Sequence, residues 1–367
     1  YSTRHTLYHT KYNSDDINPN IVVELDHLYK KYKDETNFID YNLRAPYQIF
    51  DYSIILHSEL NSLEVEKYRD NGNFIPVYYW CHALIARDWF RYAQHHSFTK
   101  EVKKQFLIYN RAWSGTREYR IKFLELLVQS ELSNYCQTSF NPIDPEDRLN
   151  YQTHVWKNNS FKPTICLEDY FDPTTVPNSA SADFYINDYV STDFEVVLET
   201  LFDDPRNHLT EKILRPIACG QPFILCATAH SLKYLKRYGF KTYSSIINED
   251  YDDIEDPVQR LTAIVECMKD ISNWDKSTKH NKLMQAQIIA DYNKKHFFSD
   301  SFMSIITSEL KQNLKPAIHK ILELNRSASF LSLRKYTMEY PLPWKVINQL
   351  EGENSAEIVK RALSYRK

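Results

Sequence analysis

The charged residues with the clearest spacing for chemistry stand at the start of one predicted helix. Thr210 precedes an apolar-periodic segment, as an N-cap residue does, and Gly220 follows it, which predicts a helix over 211–219. Glu211 and Lys212 occupy its first turn. Because a helix start offers unbonded N–H groups and the positive end of the helix dipole, the sequence predicts anion binding beside the Lys212 ammonium group.

Two arginines bracket a second predicted loop. Arg111 and Arg117 flank residues 112–116, between a predicted strand over 106–110 and the helix that follows. Guanidinium groups bind phosphate oxygens in pairs and stay charged at any working pH, so we interpret these two as ligands of a diphosphate. The alternative is an ion pair of either arginine with a neighbouring acid, Glu118 or Glu125.

A third group of polar residues ends the first convincing strand, predicted over 48–57. It comprises His57, Ser58 and Glu59. In open α/β sheets, ligands lie beyond the carboxyl ends of the strands. The group therefore has a position suited to catalysis.

These residues require a frame, and the sequence predicts an alternation of strands and helices. The predicted strands are 48–57, 74–80, 106–110, 194–201, 221–226 and 240–243. The predicted helices of the second half are 117–131, 211–219, 231–239 with Ser231 as its N-cap, 257–272 with Asp256 as its N-cap, 275–296 and 299–324. This alternation is typical of an α/β fold with a parallel sheet. The stretch 133–181 is rich in Pro, Asn, Asp and Ser, which indicates long connections around one or two short strands.

The composition is that of a globular protein. The 367 residues suffice for two domains, and 43% hydrophobic content is ordinary. No run approaches the roughly 20 apolar residues of a spanning helix, so we expect a soluble, cytoplasmic protein without a membrane span. Only five glycines are present, which excludes a Gly-rich phosphate loop, and six cysteines without a Cys-x-x-Cys pair are expected to be free thiols.

Metal binding has one formal candidate motif. Asp250 and Asp252 form a D-x-D sequence that resembles the manganese site of some glycosyl-transferring enzymes. It lies in a solvated acidic run instead of at the end of an apolar strand, so we expect neither a metal nor a cofactor.

Several of these stretches resemble one family. The sequence "TEK" at 210–212, followed by "RPIACGQPFI" and "SLKYLKRYGFKTY", resembles the donor-binding half of GT-B glycosyltransferases. The resemblance is to a group encoded by tailed bacteriophages and, more distantly, to fucosyltransferases and exostosin-like enzymes. "FLIYNRAWSGTREYRIKFLELL" resembles the opening of the same half, and "IILHSELNS" and "VYYWCHALIARDWFRYA" extend the similarity over roughly residues 45–300.

The resemblance implies a fold of two Rossmann-like domains that face a cleft, with C-terminal helices. The expected domains are an acceptor-side domain over 1–103, a nucleotide-sugar-binding domain over 104–310 and a helical extension over 311–367. The implied activity is metal-independent transfer of a hexose or pentose from a nucleotide diphosphate sugar, expected to be UDP-linked, to an acceptor hydroxyl.

The resemblance also implies roles for individual residues. Glu211, with Glu199 as second choice, would bind the ribose hydroxyls, and Lys212 and Arg215 would neutralise the diphosphate leaving group. The donor-binding set is thus Arg111, Arg117, Glu199, Thr210, Glu211, Lys212 and Arg215. The general base is expected to be Glu59, with His57 and Asp88 as reserves.

The similarity to phage proteins favours one acceptor, 5-hydroxymethylcytosine in double-stranded phage DNA, in the cytoplasm of the host bacterium. The net charge of −3 is unfavourable for DNA binding, but residues 99–122 carry a local excess of Lys and Arg. The candidate acceptor-binding residues are Arg87, Arg91, Lys103 and Lys104. Arg87 and Arg91 share one helix face, where they contact either an anionic acceptor or only solvent and neighbouring carboxylates. The other hypotheses are a glycan, lipopolysaccharide or small-molecule acceptor, and a non-catalytic module that binds sugar nucleotides.

Overall fold

The protein has an α/β fold with two parallel sheets. The computed structural model describes residues 2–3, 55–70, 77–97, 99–138, 140–171 and 184–327. By compactness the chain divides into two units. The first holds the described residues of 1–57, 63–80 and 310–367, and the second holds the described residues of 58–62 and 81–309. This division differs from the predicted boundary at 103, because residues 81–103 belong to the second unit.

The elements are numbered here in chain order. The strands are β1 (Ser2–Thr3), β2 (Ile55–His57), β3 (Val77–Tyr79), β4 (Lys104–Ile108), β5 (Cys136–Thr138), β6 (Thr192–Leu198) and β7 (Phe223–Cys226). The helices are α1 (Leu63–Asp70), α2 (Ala83–Trp89), α3 (Tyr119–Gln129), α4 (Ile186–Val190), α5 (Glu211–Cys219), α6 (Ser231–Arg237), α7 (Pro257–Ser272), α8 (Lys276–Phe297) and α9 (Asp300–Ser327). Within the described ranges, none of the helices is both long enough and apolar enough to cross a membrane.

Among the described residues, the sheet of the first unit has three short parallel strands in the order β1, β2, β3. His57, a reserve base in the sequence prediction, is the last residue of β2, and its ring lies edge-on to Tyr79 at 5.9 Å. The sequence also predicts helices over 21–32 and 355–365. Both of these, and most of the predicted strand over 48–57, lie outside the described residues.

The second unit is built on a four-stranded parallel sheet in the order β5, β4, β6, β7. Every residue of β6 is buried, as expected for a parallel strand that is covered on both faces. The core around it is dominated by aromatic and branched side chains such as Phe106, Phe194 and Val196. All six cysteines are free thiols, and five of them are buried, which agrees with the sequence prediction.

The chain order of this sheet changes direction between β4 and β6. From β4 the chain first adds β5 on one side and then returns to add β6 and β7 on the other side. At such a switch point the loops beyond the carboxyl ends diverge and leave a crevice, which is where open α/β sheets bind ligands. Arg120 joins the loop after β4 to the end of β6, since it donates to the Ala112 carbonyl at 2.6 Å and to the Leu198 carbonyl at 2.6 Å.

Helix α5 has the bounds that the sequence predicts. Thr210 is its N-cap and accepts a hydrogen bond from the Lys212 N–H at 3.1 Å. Gly220 ends it with φ of 71°, in the left-handed region that glycine adopts without strain. Strands β6 and β7 flank it in the chain, so the predicted strand, helix and strand order is confirmed.

Two local predictions are wrong. Residues 240–243 form no strand, although Phe240 and Tyr243 are buried. Ser231 does not cap α6, because the Asp252 carboxylate accepts from the N–H groups of Leu232 and Lys233 at 2.9 and 3.2 Å. The Ser231 hydroxyl instead donates to a preceding carbonyl.

Candidate functional site

A group of polar side chains assembles beyond the carboxyl end of β6, within the second unit. We call it the acid–base cluster. Its members are Ser58, Glu59, His82, Arg206, His208, Glu211 and Lys212. Three of the seven, Glu59, Glu211 and Lys212, are site residues in the sequence prediction. Ser58 belongs to the polar group predicted at the end of the first strand, whereas His82, Arg206 and His208 carry no predicted role.

A short backbone bridge brings the two halves of the cluster together. The Leu60 N–H donates to the Asn207 carbonyl at 2.9 Å, and the Asn207 N–H donates back to the Leu60 carbonyl at 3.1 Å. The Asn61 side chain also donates to the Asn207 side chain at 2.9 Å. Because this pairing is antiparallel, residues 58–59 come to lie beside the residues that flank Asn207.

Glu59 is a fully buried partner of an arginine. Its side chain is 0% exposed, and the Arg206 guanidinium donates to it at 3.2 Å. Arg206 also binds the Asp204 carboxylate through two nitrogens. A carboxylate without exposed surface can act on a substrate only through a neighbouring group, so the structure favours Glu59 as an orienting residue over the proton acceptor that the sequence predicts.

His208 is the neighbour through which Glu59 can act. Its Nε2 lies 2.9 Å from the Ser58 hydroxyl, and its Nδ1 lies 3.7 Å from the nearer Glu59 oxygen. The ring packs edge-on against His82 at 5.6 Å. A histidine between a hydroxyl and a carboxylate has the arrangement of a general base with its orienting acid. No local pattern around residue 208 reveals this role, because its partners are 150 residues away in the chain.

Glu211 and Lys212 form an ion pair at the start of α5. The Lys212 ammonium donates to one Glu211 oxygen at 2.6 Å, and His82 Nε2 lies 3.5 Å from the other. Burial raises the pKa of the Glu211 carboxyl, but Lys212 and His82 outweigh burial and hold the pKa well below its usual range. Glu211 is therefore a carboxylate at neutral pH, as an acceptor for ribose hydroxyls must be.

The start of α5 is not the open anion site that the sequence predicts. The buried Glu199 carboxylate accepts from the N–H groups of Thr210 and Ile213 at 3.4 and 3.2 Å and from the Thr210 hydroxyl at 2.5 Å. Burial raises the pKa of Glu199, against the lowering effect of Lys212. A protein carboxylate thus already satisfies the helix start, and Glu199 serves there as a capping group and not as a ligand of ribose.

Arg215 also has a different role from its prediction. It is buried, donates to Glu195 at 2.5 Å, and lies over the Tyr109 ring at 4.3 Å. The hydroxyl of Tyr189 donates to the other Glu195 oxygen at 2.6 Å. Arg215 therefore stabilises a buried carboxylate, Glu195, within the second unit.

The structure brings Arg111 and Arg117 together. Both donate to Glu146, Arg111 at 2.7 Å to one oxygen and Arg117 at 2.6 Å to the other. The suggested alternative partners, Glu118 and Glu125, are instead bound to His154 and Lys122. Burial raises the pKa of the Glu146 carboxyl, but Arg117 and Arg111 outweigh it and hold the pKa below its usual value.

A second acid fixes the loops that carry this group. Asp144 accepts from the backbone N–H groups of Trp113 and Ser114 at 2.6 and 2.8 Å, in the loop after β4. It also accepts from the N–H groups of Glu146 and Asp147 at 2.8 and 3.1 Å. Burial raises the pKa of Asp144, but these four donors outweigh it and lower the pKa below its ordinary value.

The predicted acceptor-side arginines are not aligned toward a ligand. Arg87 donates to the carbonyls of Phe298 and Ser299 at 2.7 and 2.8 Å, so it binds the end of α8. Arg91 is exposed and pairs with Asp88 at 3.2 Å. Asp88, the second reserve base, is therefore a solvent-exposed member of a surface ion pair.

Most cations of the basic stretch 99–122 contact protein groups. Lys100 is half-buried among carbonyl oxygens, and burial lowers its pKa to about 8. Arg120 is buried, and Lys104 donates to the Asn134 carbonyl at 2.5 Å. Of the two predicted acceptor lysines, Lys103 is exposed. The stretch therefore does not present the continuous basic surface that its sequence indicates.

The arrangement contains groups suited to proton transfer and to neutralising an anion. The cluster holds a histidine able to accept a proton, and the adjoining loops hold cations. Within the described ranges, no three or more His, Cys, Asp or Glu side chains are grouped so as to hold a metal ion.

Comparison of the chain with models of known protein families, with curated proteins and with solved structures finds no match.

Proposed function

We propose that the protein is a glycosyltransferase that moves a sugar from a nucleotide diphosphate sugar to an acceptor hydroxyl. The observation that carries the proposal is the acid–base cluster, in which His208 contacts both a hydroxyl and a carboxylate beside the Glu211–Lys212 pair. It lies beyond the carboxyl end of a parallel strand, where such folds bind ligands. The resemblance of residues 210–243 to GT-B donor-binding sequences supports the same reaction.

In the proposed reaction the acceptor oxygen attacks the anomeric carbon and its proton leaves through Ser58 to Nε2 of His208. The bond between the anomeric carbon and the diphosphate breaks, and the electron pair stays on the leaving diphosphate. Glu59 orients the ring through Nδ1 and stabilises the imidazolium, for which the 3.7 Å separation must shorten when substrate binds. Lys212 provides positive charge for the leaving group.

The proposal includes the GT-B architecture. Two compact units with parallel strands in each are compatible with two Rossmann-like domains. The donor is assigned to the second unit, because its switch point is bordered by the loop of Arg111 and Arg117 and by the loop that ends at Thr210. At the start of α5, Glu211 is the proposed acceptor for the ribose hydroxyls.

For the acceptor we propose 5-hydroxymethylcytosine in DNA, and this part rests on the resemblance to phage proteins alone. The described cations of residues 99–122 mostly contact protein groups, which gives DNA no added support. A glycan or small-molecule hydroxyl fits the same proton-transfer chemistry.

The test is nucleotide release from a panel of UDP and GDP sugars. Each donor is supplied with hydroxymethylated duplex DNA, with unmodified DNA, with a glycan mixture or with no acceptor. Release that requires the hydroxymethylated DNA supports both parts of the proposal. Nucleotide release that requires another acceptor supports the transferase and rules out hydroxymethylated DNA as its acceptor. If the donor binds but no nucleotide is released under any condition, the protein is a non-catalytic binding module and not an enzyme.

A further inference from the structure

Two arginines and one carboxylate form a compact ionic group at the carboxyl edge of the second sheet. The Nη2 atoms of Arg111 and Arg117 contact different oxygens of Glu146, at 2.7 and 2.6 Å. Guanidinium groups bind carboxylate and phosphate oxygens through the same paired geometry. The Glu146 carboxylate therefore has the position that a phosphate group would take between the two arginines.

The group lies beside the switch point of the sheet. Both arginines follow β4, whereas Glu146 belongs to the connection that follows β5 on the other side of β4. Arg117 is also held by its own loop, because its Nε donates to the Ser114 carbonyl at 3.1 Å. The guanidinium of Arg117 thus has a second anchor that is independent of Glu146.

The carboxylate can leave without refolding the loop. The Glu146 side chain is 38% exposed, and those of Arg111 and Arg117 are 30% and 17% exposed, so solvent reaches the group. Asp144 holds the Glu146 backbone through its N–H. Rotation of one side chain is therefore enough to open the space between the guanidinium groups.

The geometry points to a phosphate-binding site formed by Arg111 and Arg117, which the Glu146 carboxylate fills until a phosphate-bearing ligand displaces it. The identity of the ligand as the diphosphate of a nucleotide sugar rests on the proposed function. Glu146 then acts as a built-in competitor of the donor. Its return between the arginines after transfer assists release of the nucleotide product.

The test measures binding of inorganic pyrophosphate, UDP and uridine to the full chain by calorimetry at low salt, without acceptor. Glu146→Gln removes the competing charge, and we expect about fivefold tighter binding of pyrophosphate and UDP, the effect of roughly 1 kcal/mol for one partly exposed ion pair. Uridine, which lacks phosphate, should show no change. Asp147→Asn is the matched control, since it removes a carboxylate from the same loop that contacts neither guanidinium.

A second variant confirms that the arginines are the ligands. Adding Arg111→Gln and Arg117→Gln to Glu146→Gln should abolish the gain for pyrophosphate. Equal pyrophosphate affinity in wild type and Glu146→Gln, or an equal gain in Asp147→Asn, overturns the site. If Glu146→Gln binds pyrophosphate more tightly and no sugar nucleotide is ever turned over, the anion site stands and the transferase fails. If sugar nucleotides are turned over but Glu146→Gln binds pyrophosphate no more tightly than wild type, the transferase stands and the anion site fails.

Discussion

A histidine becomes an effective base at neutral pH when a fixed acid selects its tautomer. In the proposed reaction His208 meets this condition when its Nδ1, 3.7 Å from Glu59, closes to hydrogen-bond distance, while Arg206 holds Glu59 in place. Nε2 is then left to accept a proton from the side of Ser58. In the proposed reaction, the buried Glu59 and the adjacent His208 divide between them the task that the sequence prediction assigns to Glu59 alone.

Replacing His208 by Asn should reduce sugar transfer by about 10²–10⁴-fold, the usual contribution of a general base. Donor affinity should be little changed, because the proposed donor contacts are made by other residues. Turnover and equilibrium binding of the donor provide the two measurements.

His230→Asn is the control for this variant. His230 is an exposed histidine that contacts Asp253 and Glu255 at 3.1 and 2.9 Å, outside the acid–base cluster. It should retain wild-type transfer. Wild-type transfer by His208→Asn would remove His208 from the mechanism.

Arg215 stabilises the fold through a buried ion pair with Glu195. Its removal leaves the Glu195 carboxylate buried without its arginine, so Arg215→Met should lower the free energy of unfolding by about 3–5 kcal/mol. Urea denaturation of the variant measures this loss. The exposed Arg91→Met should cost less than about 1 kcal/mol, since surface ion pairs contribute little.

The double variant Arg215→Met with Glu195→Leu tests the cause. Because it removes both charges, it should recover part of the free energy of unfolding that Arg215→Met loses. A single variant as stable as wild type would show that the buried pair is not needed for folding.

At the scale of elements, the connection after β5 depends on one carboxylate. Asp144 accepts from two N–H groups of the loop after β4 and from two of its own connection, and its pKa is lowered below the ordinary value. A lowered pKa means that its stabilisation is present above the unfolded pKa of about 3.9 and is lost as the pH falls through the folded pKa.

We therefore expect the difference in unfolding free energy between wild type and Asp144→Asn to be full at pH 6 and to shrink as the pH falls below about 4. Urea denaturation of both proteins between pH 6 and about pH 3 measures this difference. Glu131→Gln, a change at an exposed acid, is the control and should show no such convergence. A constant difference across the range would contradict the assignment of the pKa shift.

Elements with complete local signals could be predicted from the sequence. Helices α5 and α7 have the predicted bounds because Thr210, Gly220 and Asp256 act on their own helix ends. Residues 240–243 have a strand-like pattern, but a strand requires a partner that no local pattern provides. The acid that caps α6, Asp252, lies about 20 residues further along the chain, so the prediction of the nearby Ser231 as the N-cap is wrong.

At the scale of the whole molecule, the parallel α/β fold of the second unit could be predicted, but its site only in part. Glu59, Glu211 and Lys212 follow predicted strands or begin a predicted helix, so the rule about strand ends locates them. His208 and Arg206 lie in an irregular loop, and contacts across about 150 residues of sequence give them their partners. The excess of Lys and Arg over residues 99–122 predicts a basic surface that the structure lacks for the same reason, since most of the carbonyls and carboxylates that bind those cations are distant in the chain.

The bridge between Leu60 and Asn207 also has a consequence for biosynthesis. Leu60 and Asn207 are separated by 147 residues in the chain, as are Glu59 and Arg206. On the ribosome, the segment around Leu60 emerges long before Asn207 exists, so this part of the second unit stays open until the chain has been made beyond residue 207. A nascent chain that stalls before residue 206 would carry an acidic side chain whose eventual counterion has not yet been translated.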